Sequence, residues 1–342
     1  MKFLVTGGAG FIGSNFIRYF LNNNKEIEVL NLDKLTYAGK LDNLKDLETN
    51  SRYSFVKGNI CDQDLVNSLF QQHDIKGVIH FAAESHVDNS INDPGIFVET
   101  NVKGTYILLE AARRLWMDEP FRIRKGYENA RFLHISTDEV YGSLGESGFF
   151  TEKTPYAPNS PYSASKAASD FLVRSYHHTY GMNVVTTNCS NNYGPRQHDE
   201  KLIPTIIRKA LNKQAIPIYG DGMNIRDWLY VDDHCSGLET VFKKGIAGET
   251  YNIGANTERT NLEIAKTICE LLDTIVPDKK TKRKELITFV KDRPGHDFRY
   301  AIDAAKIKNE LGWEPKETFE SGLSKTLKWY LAKYHNKNTT VQ

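Results

Sequence analysis

Short β-branched apolar runs alternate with longer helical patterns through the first half of the chain. The runs lie at 3–6, 27–32, 53–56, 77–82, 131–136 and 183–188. This alternation is typical of βαβ units, which build a parallel sheet. The runs are almost continuously apolar, as expected where helices cover both faces of a sheet. We therefore expect an α/β fold with a Rossmann-like, doubly wound parallel sheet over residues 1 to about 190.

Beyond Tyr193 the pattern loosens into turns marked by glycine and proline, with helical stretches near 203–212 and 262–273. We expect a smaller C-terminal substrate-binding lobe over 191–342. The segment over about 228–255, which ends in the strand-like run ETYNIG, is expected to rejoin the main sheet, so that the two lobes interleave. The polar end of the chain from about 335 is expected to be disordered.

The composition excludes several classes of partner. A hydrophobic fraction of 40%, a charged fraction of 25% and a formal net charge of +1 leave no basic excess that could hold a polyanion. We therefore expect no nucleic-acid partner. The apolar stretches are far shorter than a membrane span, and the first residues lack a signal-peptide pattern. We expect no membrane partner either.

The four cysteines lie far apart in the chain and form no C-x-x-C pair. This spacing argues against a zinc site and against a disulfide framework, so we expect no metal and a reducing, cytoplasmic location. The D-D-H run from Asp232 to His234 resembles a ligand set. We expect it instead to begin a helix, with an aspartate as the cap.

A glycine-rich turn follows the first strand. In TGGAGFIG the residues Gly7, Gly10 and Gly13 give the spacing G-x-x-G-x-x-G, and a helical pattern begins near Phe11. Such a turn lets the backbone approach a pyrophosphate and aims a helix N-terminus at it. A P-loop is excluded, because no Lys-Ser/Thr pair follows the last glycine. Asp33, at the end of the second strand, would bind the ribose hydroxyls and repel a 2′-phosphate, which predicts NAD and not NADP.

Tyr162 and Lys166 lie four residues apart in a run of helix-forming residues, so both side chains share one helical face. A neighbouring ammonium is expected to lower the pKa of the phenol, which could then take a proton from a sugar hydroxyl. Tyr53 and Lys57 have the same spacing, but they fall in a strand-like run and are not expected to pair.

Four polar residues follow the fifth apolar run, at the edge where doubly wound sheets bind ligands. They are Ser136, Thr137, Asp138 and Glu139. Adjacent carboxyl groups push their pKa values apart, so one is expected to be a protonated acid and the other an ionised base. An elimination reaction needs that combination.

TGGAGFIG, Asp33, FAAESHVDNS, STDEVYG and Y-x-x-x-K together resemble the extended short-chain dehydrogenase/reductase family, in its sugar epimerase and dehydratase group. The resemblance covers essentially the whole chain. Asp138 and Glu139 stand where many epimerases of the family carry small hydroxyl or apolar residues. The resemblance therefore implies an enzyme that retains NAD⁺ and uses it to remove water from a nucleotide-linked hexose, with dTDP-glucose as the expected substrate.

Alternatives within the family are a UDP- or CDP-sugar dehydratase, a 4-epimerase and a UDP-glucuronate decarboxylase; a non-catalytic NAD-binding regulator is the alternative from another class. The resemblance also implies a homodimer packed through the helices near 98–115 and 162–180. The product would feed rhamnose or other deoxysugar biosynthesis.

The roles implied by the resemblance follow the order of the reaction. Tyr162 takes the C4 hydroxyl proton while a hydride passes to NAD⁺. Glu139 then removes the C5 proton, Asp138 protonates the departing C6 hydroxyl, and the hydride returns to C6. Thr137 and Ser136 would hydrogen-bond the C4 oxygen, and Lys166 would orient the nicotinamide ribose.

The resemblance assigns the other binding residues by position. The expected NAD contacts are Gly7, Gly10, Phe11, Ile12, Gly13, Asp33, Lys34, Leu35, Thr36, Asn59, Ile60, Phe81, Ala82, Ala83, Glu84, Ser85, Thr100, Ser136, Tyr162, Lys166 and Asn192. The expected substrate contacts are Ser85, Thr137, Asn191, Lys201, Leu202, Pro217, Ile218, Tyr219, Arg226, Asn261, Asp292, Arg293, Pro294, Gly295 and His296. Arg226 and Arg293 are expected to clamp the diphosphate, since a guanidinium fork pairs with phosphate oxygens.

Overall fold

A computed structural model describes residues 1–292 and 295–339. Its strands are β1 (Lys2–Thr6), β2 (Glu28–Asp33), β3 (Tyr53–Lys57), β4 (Ile75–His80), β5 (Met117–Glu119), β6 (Arg122–Ile123), β7 (Arg131–Thr137), β8 (Val184–Cys189), β9 (Asn191–Tyr193), β10 (Ile216–Tyr219), β11 (Ile225–Tyr230), β12 (Thr250–Ile253), β13 (Glu258–Thr260) and β14 (Ile287–Val290).

The α-helices are α1 (Phe11–Asn23), α2 (Gln63–Gln72), α3 (Val87–Asn92), α4 (Pro94–Phe97), α5 (Thr105–Trp116), α6 (Pro161–Tyr180), α7 (Leu202–Leu211), α8 (Val231–Lys244), α9 (Asn261–Ile275), α10 (Ala305–Leu311) and α11 (Phe319–Thr339). A π-helical segment (Val98–Gly104) joins α4 to α5, and short 3₁₀ turns cover Leu41–Leu47, Asp138–Tyr141 and Arg283–Leu286.

The central sheet has the strand order β12-β8-β7-β4-β1-β2-β3 within the described residues, and all its pairs are parallel. The six apolar runs predicted as strands are all in it, which confirms the expected Rossmann-like, doubly wound fold. The strand order reverses between β1 and β4. Ligands of doubly wound sheets bind at such a switch point, beyond the carboxyl ends of the strands.

Helices cover both faces of this sheet, so each face buries its own apolar core. One core contains Phe16 and Phe20 of α1 together with Phe242 of α8. The other contains Trp116 of α5 and Val173 of α6. Because both faces are covered, most strand residues are buried, as their apolar runs predict, whereas no residue of the edge strand β3 is fully buried.

A third core belongs to the second lobe, where α7, α9 and α11 pack together through residues such as Ile206, Ile268 and Leu327. Between the lobes the chain crosses more than once. After β8 it forms β9, α7, β10 and β11, and it then returns through α8 to place β12 beside β8 in the central sheet.

One local expectation is wrong, and another stays a prediction. The helix α11 runs to Thr339, and the disorder expected from about 335 stays a prediction. Residues 340–342 lie outside the described part. In α8 the cap position is Tyr230, not an aspartate. Asp233 instead accepts hydrogen bonds from the backbone N–H groups of Lys316 and Glu317 at 3.0 and 2.9 Å.

Within 1–292 and 295–339, no helix is both long and apolar enough to cross a bilayer. The same residues contain no group of three or more histidine, cysteine or acidic side chains that could hold a metal ion.

Candidate active site

The glycine-rich turn joins β1 to α1 in a space too small for side chains. A Cβ on Gly13 would lie 2.4 Å from the carbonyl oxygen of Gly7, and a Cβ on Gly7 would lie 2.6 Å from the backbone nitrogen of Ala82. Gly7 also has a φ of +71°. Of the described side chains, none caps α1 at Gly10. The turn therefore leaves an uncapped helix N-terminus at the sheet edge, as a pyrophosphate site requires.

Asp33 lies at the tip of β2, next to this turn. Its carboxylate accepts hydrogen bonds from the backbone N–H groups of Ala9 at 2.9 Å and Leu35 at 2.8 Å. Burial raises the pKa of Asp33, and these two N–H groups act against that rise. They hold the carboxylate in one orientation at the cavity wall.

A cavity of about 320 Å³ lies at the carboxyl edge of the central sheet. All the residues expected to contact NAD line it, except Leu35. The Leu35 side chain packs against the core beside α1, and its backbone N–H binds Asp33. The cavity also contains Thr137, Asp138 and Glu139, and, from the expected substrate contacts, Ser85, Asn191 and Lys201.

Tyr162 and Lys166 enter the cavity from the first turns of α6. Ser160 and Ser163 form a capping box, and Pro161 follows the cap, so the sequence fixes where this helix begins. Tyr162 is buried, as is Lys166, whose Nζ donates a hydrogen bond to the carbonyl oxygen of Ile135 at 2.8 Å.

The electrostatics of Tyr162 differ from the expectation. Burial raises the pKa of its phenol well above the usual value, and the negative charge of Glu139 adds to the rise. The expected lowering by Lys166 is not among the main effects on this phenol; burial lowers the pKa of Lys166 itself, and its Nζ donates to the Ile135 carbonyl. Positive charge must therefore act near Tyr162 before its phenol can serve as a base.

At the end of β7 the chain turns sharply through Asp138–Tyr141. Thr137 caps this turn, since its Oγ1 accepts a hydrogen bond from the backbone N–H of Glu139 at 3.3 Å. The Thr137 hydroxyl also donates to Oδ1 of Asp138 at 3.3 Å. Asp138 is buried, whereas Glu139 is partly exposed. The turn thus gives two adjacent carboxyl groups different depths.

Asp138 is the carboxyl group that the site keeps protonated. Burial raises its pKa well above the usual value, the charges of Glu139 and Asp227 raise it further, and Arg226 opposes them. Its buried Oδ2 has no hydrogen-bond partner among the described residues. A neutral carboxylic acid with an unused oxygen is poised to donate a proton.

The Ser136 hydroxyl is bound to a side chain that does not line the cavity. This hydroxyl donates to Oδ2 of Asp170 at 2.8 Å. The expected hydrogen bond between Ser136 and the C4 oxygen of a sugar stays a prediction, since a serine hydroxyl that donates one hydrogen bond can still accept another. Thr137 is the hydroxyl of this pair that also forms a hydrogen bond with the phenol of Tyr162.

Most of the expected substrate contacts in the second lobe do not line this cavity. Those described elsewhere are Leu202, Pro217, Ile218, Tyr219, Arg226, Asn261, Asp292, Gly295 and His296. Arg293 and Pro294 lie outside the described residues. Tyr219 and His296 face each other with ring centroids 6.3 Å apart, and Nδ1 of His296 lies 2.6 Å from Oδ1 of Asp292. These three therefore form a separate polar cluster near the ends of β10 and β14.

Two of these residues are held in ways that limit their expected roles. The Ile218 side chain is buried in the core of the second lobe, so only its backbone is free to meet a ligand. The Arg226 guanidinium donates to the carbonyl oxygens of Ile225, Asp297 and Phe298 and stacks 4.3 Å from the ring of Tyr300. Its clamp role stays a prediction.

Several cavity residues were missed by the sequence analysis. They are Leu32, Ala38, Gly39, Gly58, Ile135, Cys189, Ser190, Gln197, His198 and Glu200. Cys189 and Ser190 end β8, the strand beside β7, so the rule that placed Ser136 at the sheet edge could have found them. His198 and Glu200 lie in a loop whose path over the cavity has no sequence signal.

Comparison with known proteins agrees with this geometry. The family model for GDP-mannose 4,6 dehydratase matches residues 4–326. A dTDP-glucose 4,6-dehydratase of Xanthomonas campestris pv. campestris (strain B100) is 59% identical over 329 residues, which cover 96% of this chain and 92% of that protein. The structure of DesIV, a dTDP-glucose 4,6-dehydratase from Streptomyces venezuelae with NAD bound, has a TM-score of 0.87 and 45% identity, covering 97% of both chains. That of the Bacillus anthracis str. Ames dTDP-glucose 4,6-dehydratase in complex with NAD has a TM-score of 0.85 and 47% identity, again over 97% of both.

Proposed function

The chain belongs to the dTDP-glucose 4,6-dehydratases of the family that the GDP-mannose 4,6 dehydratase model describes, and we propose that the side chains at the end of β7 and the start of α6 carry out its reaction. The reaction is the NAD-dependent removal of water from dTDP-glucose, giving dTDP-4-dehydro-6-deoxyglucose. The observation that carries the assignment of roles is the contrast between buried Asp138 and partly exposed Glu139, in one cavity with Tyr162.

The residues around the β1–α1 turn fit NAD. The turn has no room for a Cβ at Gly7 or Gly13, and the uncapped start of α1 faces the same cavity as Asp33. When bound, NAD supplies the acceptor for a hydride from C4 and the donor that returns it to C6. We assign the pyrophosphate to the turn, the adenosine ribose to Asp33, and the nicotinamide end to Tyr162 and Lys166.

Three side chains then move protons on the sugar. Tyr162 accepts the proton of the C4 hydroxyl as C4 is oxidised, and the ketone formed makes the C5 hydrogen acidic. Glu139 removes the C5 proton, and Asp138 gives its proton to the C6 hydroxyl, which leaves as water. Thr137 binds the C4 oxygen, since its hydroxyl lies beside both Asp138 and Tyr162.

The second lobe binds the nucleotide in this proposal. Lys201 supports such a role because it lines the cavity from the start of α7, and its Nζ donates to the carbonyl oxygen of Ser85 at 3.3 Å across the gap between the lobes. The cluster of Tyr219, Asp292 and His296 is assigned to the nucleoside end, and Arg226 is assigned to the diphosphate because a guanidinium fork pairs with phosphate oxygens.

The experiment that tests this function is an assay of the purified protein with dTDP-glucose, UDP-glucose and CDP-glucose in separate reactions, without added NAD⁺. The alkali-induced absorbance of the 4-keto-6-deoxy product reports dehydration. Signal with dTDP-glucose alone is expected, and it would also reveal retained NAD⁺. Signal only with another nucleotide would change the substrate, and none even with added NAD⁺ would refute the proposed roles.

We further infer that the protein is a homodimer. Apolar side chains lie exposed on the helices that the family resemblance assigns to the contact, with Val98 and Phe171 each 58% exposed. Burial of such side chains against a second copy removes them from water. Phe171→Asp is expected to convert a dimer into monomers in sedimentation analysis, whereas Phe121→Asp, at another exposed phenylalanine, should leave the mass unchanged. A monomeric unsubstituted protein would refute the dimer.

The remaining inferences concern organisation and location. We propose an NAD-binding domain over 1–190 that 228–255 rejoins, and a nucleotide-sugar lobe over the rest of 191–342. The four cysteines are free, which supports a reducing cytoplasm. We infer that the product supplies deoxysugar biosynthesis, of which rhamnose formation is one branch.

A further inference from the structure

A buried carboxylate lies one helical turn beyond Lys166. Asp170 follows Lys166 by four residues on α6, so both side chains share one face of the helix. Each is only 4% exposed. Asp170 does not line the cavity, and no step of the reaction assigned above uses it.

Asp170 is held by groups from three other parts of the chain. Its Oδ2 accepts hydrogen bonds from the hydroxyls of Ser136 at 2.8 Å and Tyr156 at 3.0 Å, and its Oδ1 lies 3.0 Å from Nε2 of His134. The Nδ1 atom of His134 has no hydrogen-bond partner among the described residues, which favours the tautomer with the proton on Nε2. All three neighbours can therefore donate to a negatively charged carboxylate.

The other titratable groups around the pair come from every element packed against it. Those that face Lys166, Asp170 or the adjoining phenol of Tyr162 are His80 on β4, His134 on β7, Asp138 and Glu139 after β7, Tyr141 and Tyr156 beside Asp170, and Cys189 on β8.

Most of these groups carry no charge near neutral pH. Burial lowers the pKa of both imidazoles, which keeps His80 and His134 neutral. Burial raises the pKa of Cys189 to about 12, and the buried tyrosines are raised in the same way. Burial raises the pKa of Asp170 to about 7, and Lys166, Ser136 and Tyr156 act against that rise. At alkaline pH Asp170 is therefore the buried negative charge on α6 that balances the ammonium of Lys166.

We propose that Asp170 is a positioning residue that acts as the buried counter-ion of Lys166 and so keeps this lysine charged beside Tyr162. Removal of water from an ammonium favours its neutral form, and a nearby negative charge opposes that effect. The proposal rests on the role proposed above for Tyr162, since burial raises the pKa of this phenol and it needs a positive charge nearby before it can accept a proton.

The arrangement also explains why polar side chains surround Asp170. The hydrogen bonds from Ser136, Tyr156 and His134 stabilise the charged form of Asp170, which would otherwise take up a proton in a buried place. Tyr156 in turn accepts a hydrogen bond from Asn188 at 3.1 Å. The network extends from β7 and β8 to α6, so it ties the sheet edge to the catalytic helix.

The test is the pH dependence of kcat for Asp170→Asn with dTDP-glucose. The amide has the same shape, and the two hydroxyls beside it can rotate to meet it, so the fold should be retained. Without its counter-ion Lys166 loses its proton at lower pH, and the alkaline limb of the profile should move down by about one pH unit or more. KM should change much less than kcat at the alkaline end.

Asp233→Asn is the matched control. Asp233 is also a buried aspartate, but it binds the backbone of Lys316 and Glu317 and does not line the cavity. Its variant should show the wild-type limbs. If the limbs of the Asp170→Asn profile are unmoved and kcat falls equally at every pH, the proposal is overturned. A role of Asp170 in packing alone would then account for the loss of kcat.

Two further variants keep the result open to refutation. If Asp170→Asn does not fold, Tyr156→Phe replaces it as the test, because it removes one hydrogen-bond donor from the carboxylate. The alkaline limb of its kcat profile should move in the same direction by a smaller amount. An unmoved alkaline limb overturns the proposal. Lys166→Ala separates the two levels of inference. If Lys166→Ala leaves kcat unchanged, the assigned role of Lys166 is wrong. If Lys166→Ala loses activity but the pH profile of Asp170→Asn is unmoved, only the counter-ion role of Asp170 is contradicted.

Discussion

Asp138 and Glu139 are neighbours in the chain, yet the 3₁₀ turn that begins at Asp138 gives their carboxyl groups different surroundings. Asp138 points into the protein and has an unused buried oxygen, while Glu139 remains partly exposed and contributes a charge that acts on Asp138 and Tyr162. The proposed division into one acid and one base therefore follows from the turn. It could be predicted from the pair of residues and their place after a strand.

Glu139→Gln should separate the two halves of the reaction. Oxidation at C4 stays measurable as reduction of bound NAD⁺, whereas product formation falls on the order of a hundredfold to ten-thousandfold because no base removes the C5 proton. Absorbance of the reduced cofactor and the alkaline product assay report the two steps. Glu146→Gln, at an exposed glutamate in the same region, should behave as wild type. An equal loss of both steps would contradict the role of Glu139.

Asp138→Asn should slow the elimination, because an amide cannot donate the proton that the departing hydroxyl needs. The loss is expected to be about a hundredfold or more with dTDP-glucose, and smaller with a 6-fluoro analogue, whose leaving group needs less assistance. Single-turnover rates with both substrates measure this difference. Equal losses for the two substrates would show that Asp138 does not act as the acid.

Asp170 shows what residue-level reading of the sequence missed. It stands in the helix that carries Tyr162 and Lys166, but its partners Ser136, His134 and Tyr156 come from distant parts of the chain. Spacing within a helix predicts which side chains share a face, not which buried groups from other elements meet them. The same limit applies to the pKa of Tyr162, because the direction of its shift depends on burial.

At the scale of elements, six strands of the central sheet were predictable because each coincides with a mainly apolar run, and the seventh, β12, was expected from the strand-like ETYNIG. The short strands β5, β6 and β13 and the π-helical segment Val98–Gly104 were not predicted. Such segments are too short to show a period, and contacts with other elements decide their conformation. For the same reason the cavity loop that contains His198 and Glu200 was missed.

The β1–α1 turn gives a prediction at this scale. In Gly13→Ala the new methyl would meet the backbone of Gly7 and Gly8, which no side-chain rotation can relieve, so the turn must open. A cost of about 1 to 3 kcal/mol is typical of overpacking and should weaken NAD binding about tenfold or more. The NAD content of the purified protein and titration of NAD into the stripped protein measure it.

Gly145→Ala is the control, because nothing lies within 4 Å of a Cβ built there. It should bind NAD as the unsubstituted protein does. Unchanged NAD binding in Gly13→Ala would mean that the turn does not hold the pyrophosphate.

At the scale of the whole molecule, a buried histidine makes stability depend on pH. His234 in α8 is fully buried, and neither ring nitrogen has a hydrogen-bond partner among the described residues. Burial lowers its pKa to about 3. The unfolded chain takes up this proton near pH 6.5, while the folded protein does not, so stability falls as the pH drops from about 6.5 towards about 3.

His234→Leu should remove that contribution. When the pH falls from 7 to 5, the unsubstituted protein should lose up to about 2 kcal/mol more unfolding free energy than the His234→Leu variant does. This figure corresponds to about 1.36 kcal/mol for each pH unit below about 6.5. Denaturant unfolding at both pH values measures it, with His178→Leu at an exposed histidine as the control. The same pH dependence in both variants would contradict this origin.

The return of the chain to place β12 beside β8 has a consequence for synthesis on the ribosome. When residues up to Cys189 have emerged, β8 is still an open edge with unpaired backbone groups, and it stays so until Thr250–Ile253 follow. Asn252 of that late strand also accepts a hydrogen bond from Tyr141, next to the catalytic turn. The nascent chain therefore cannot finish its first lobe before most of the second has been translated, and a gene fragment cut after β8 would encode an unprotected sheet.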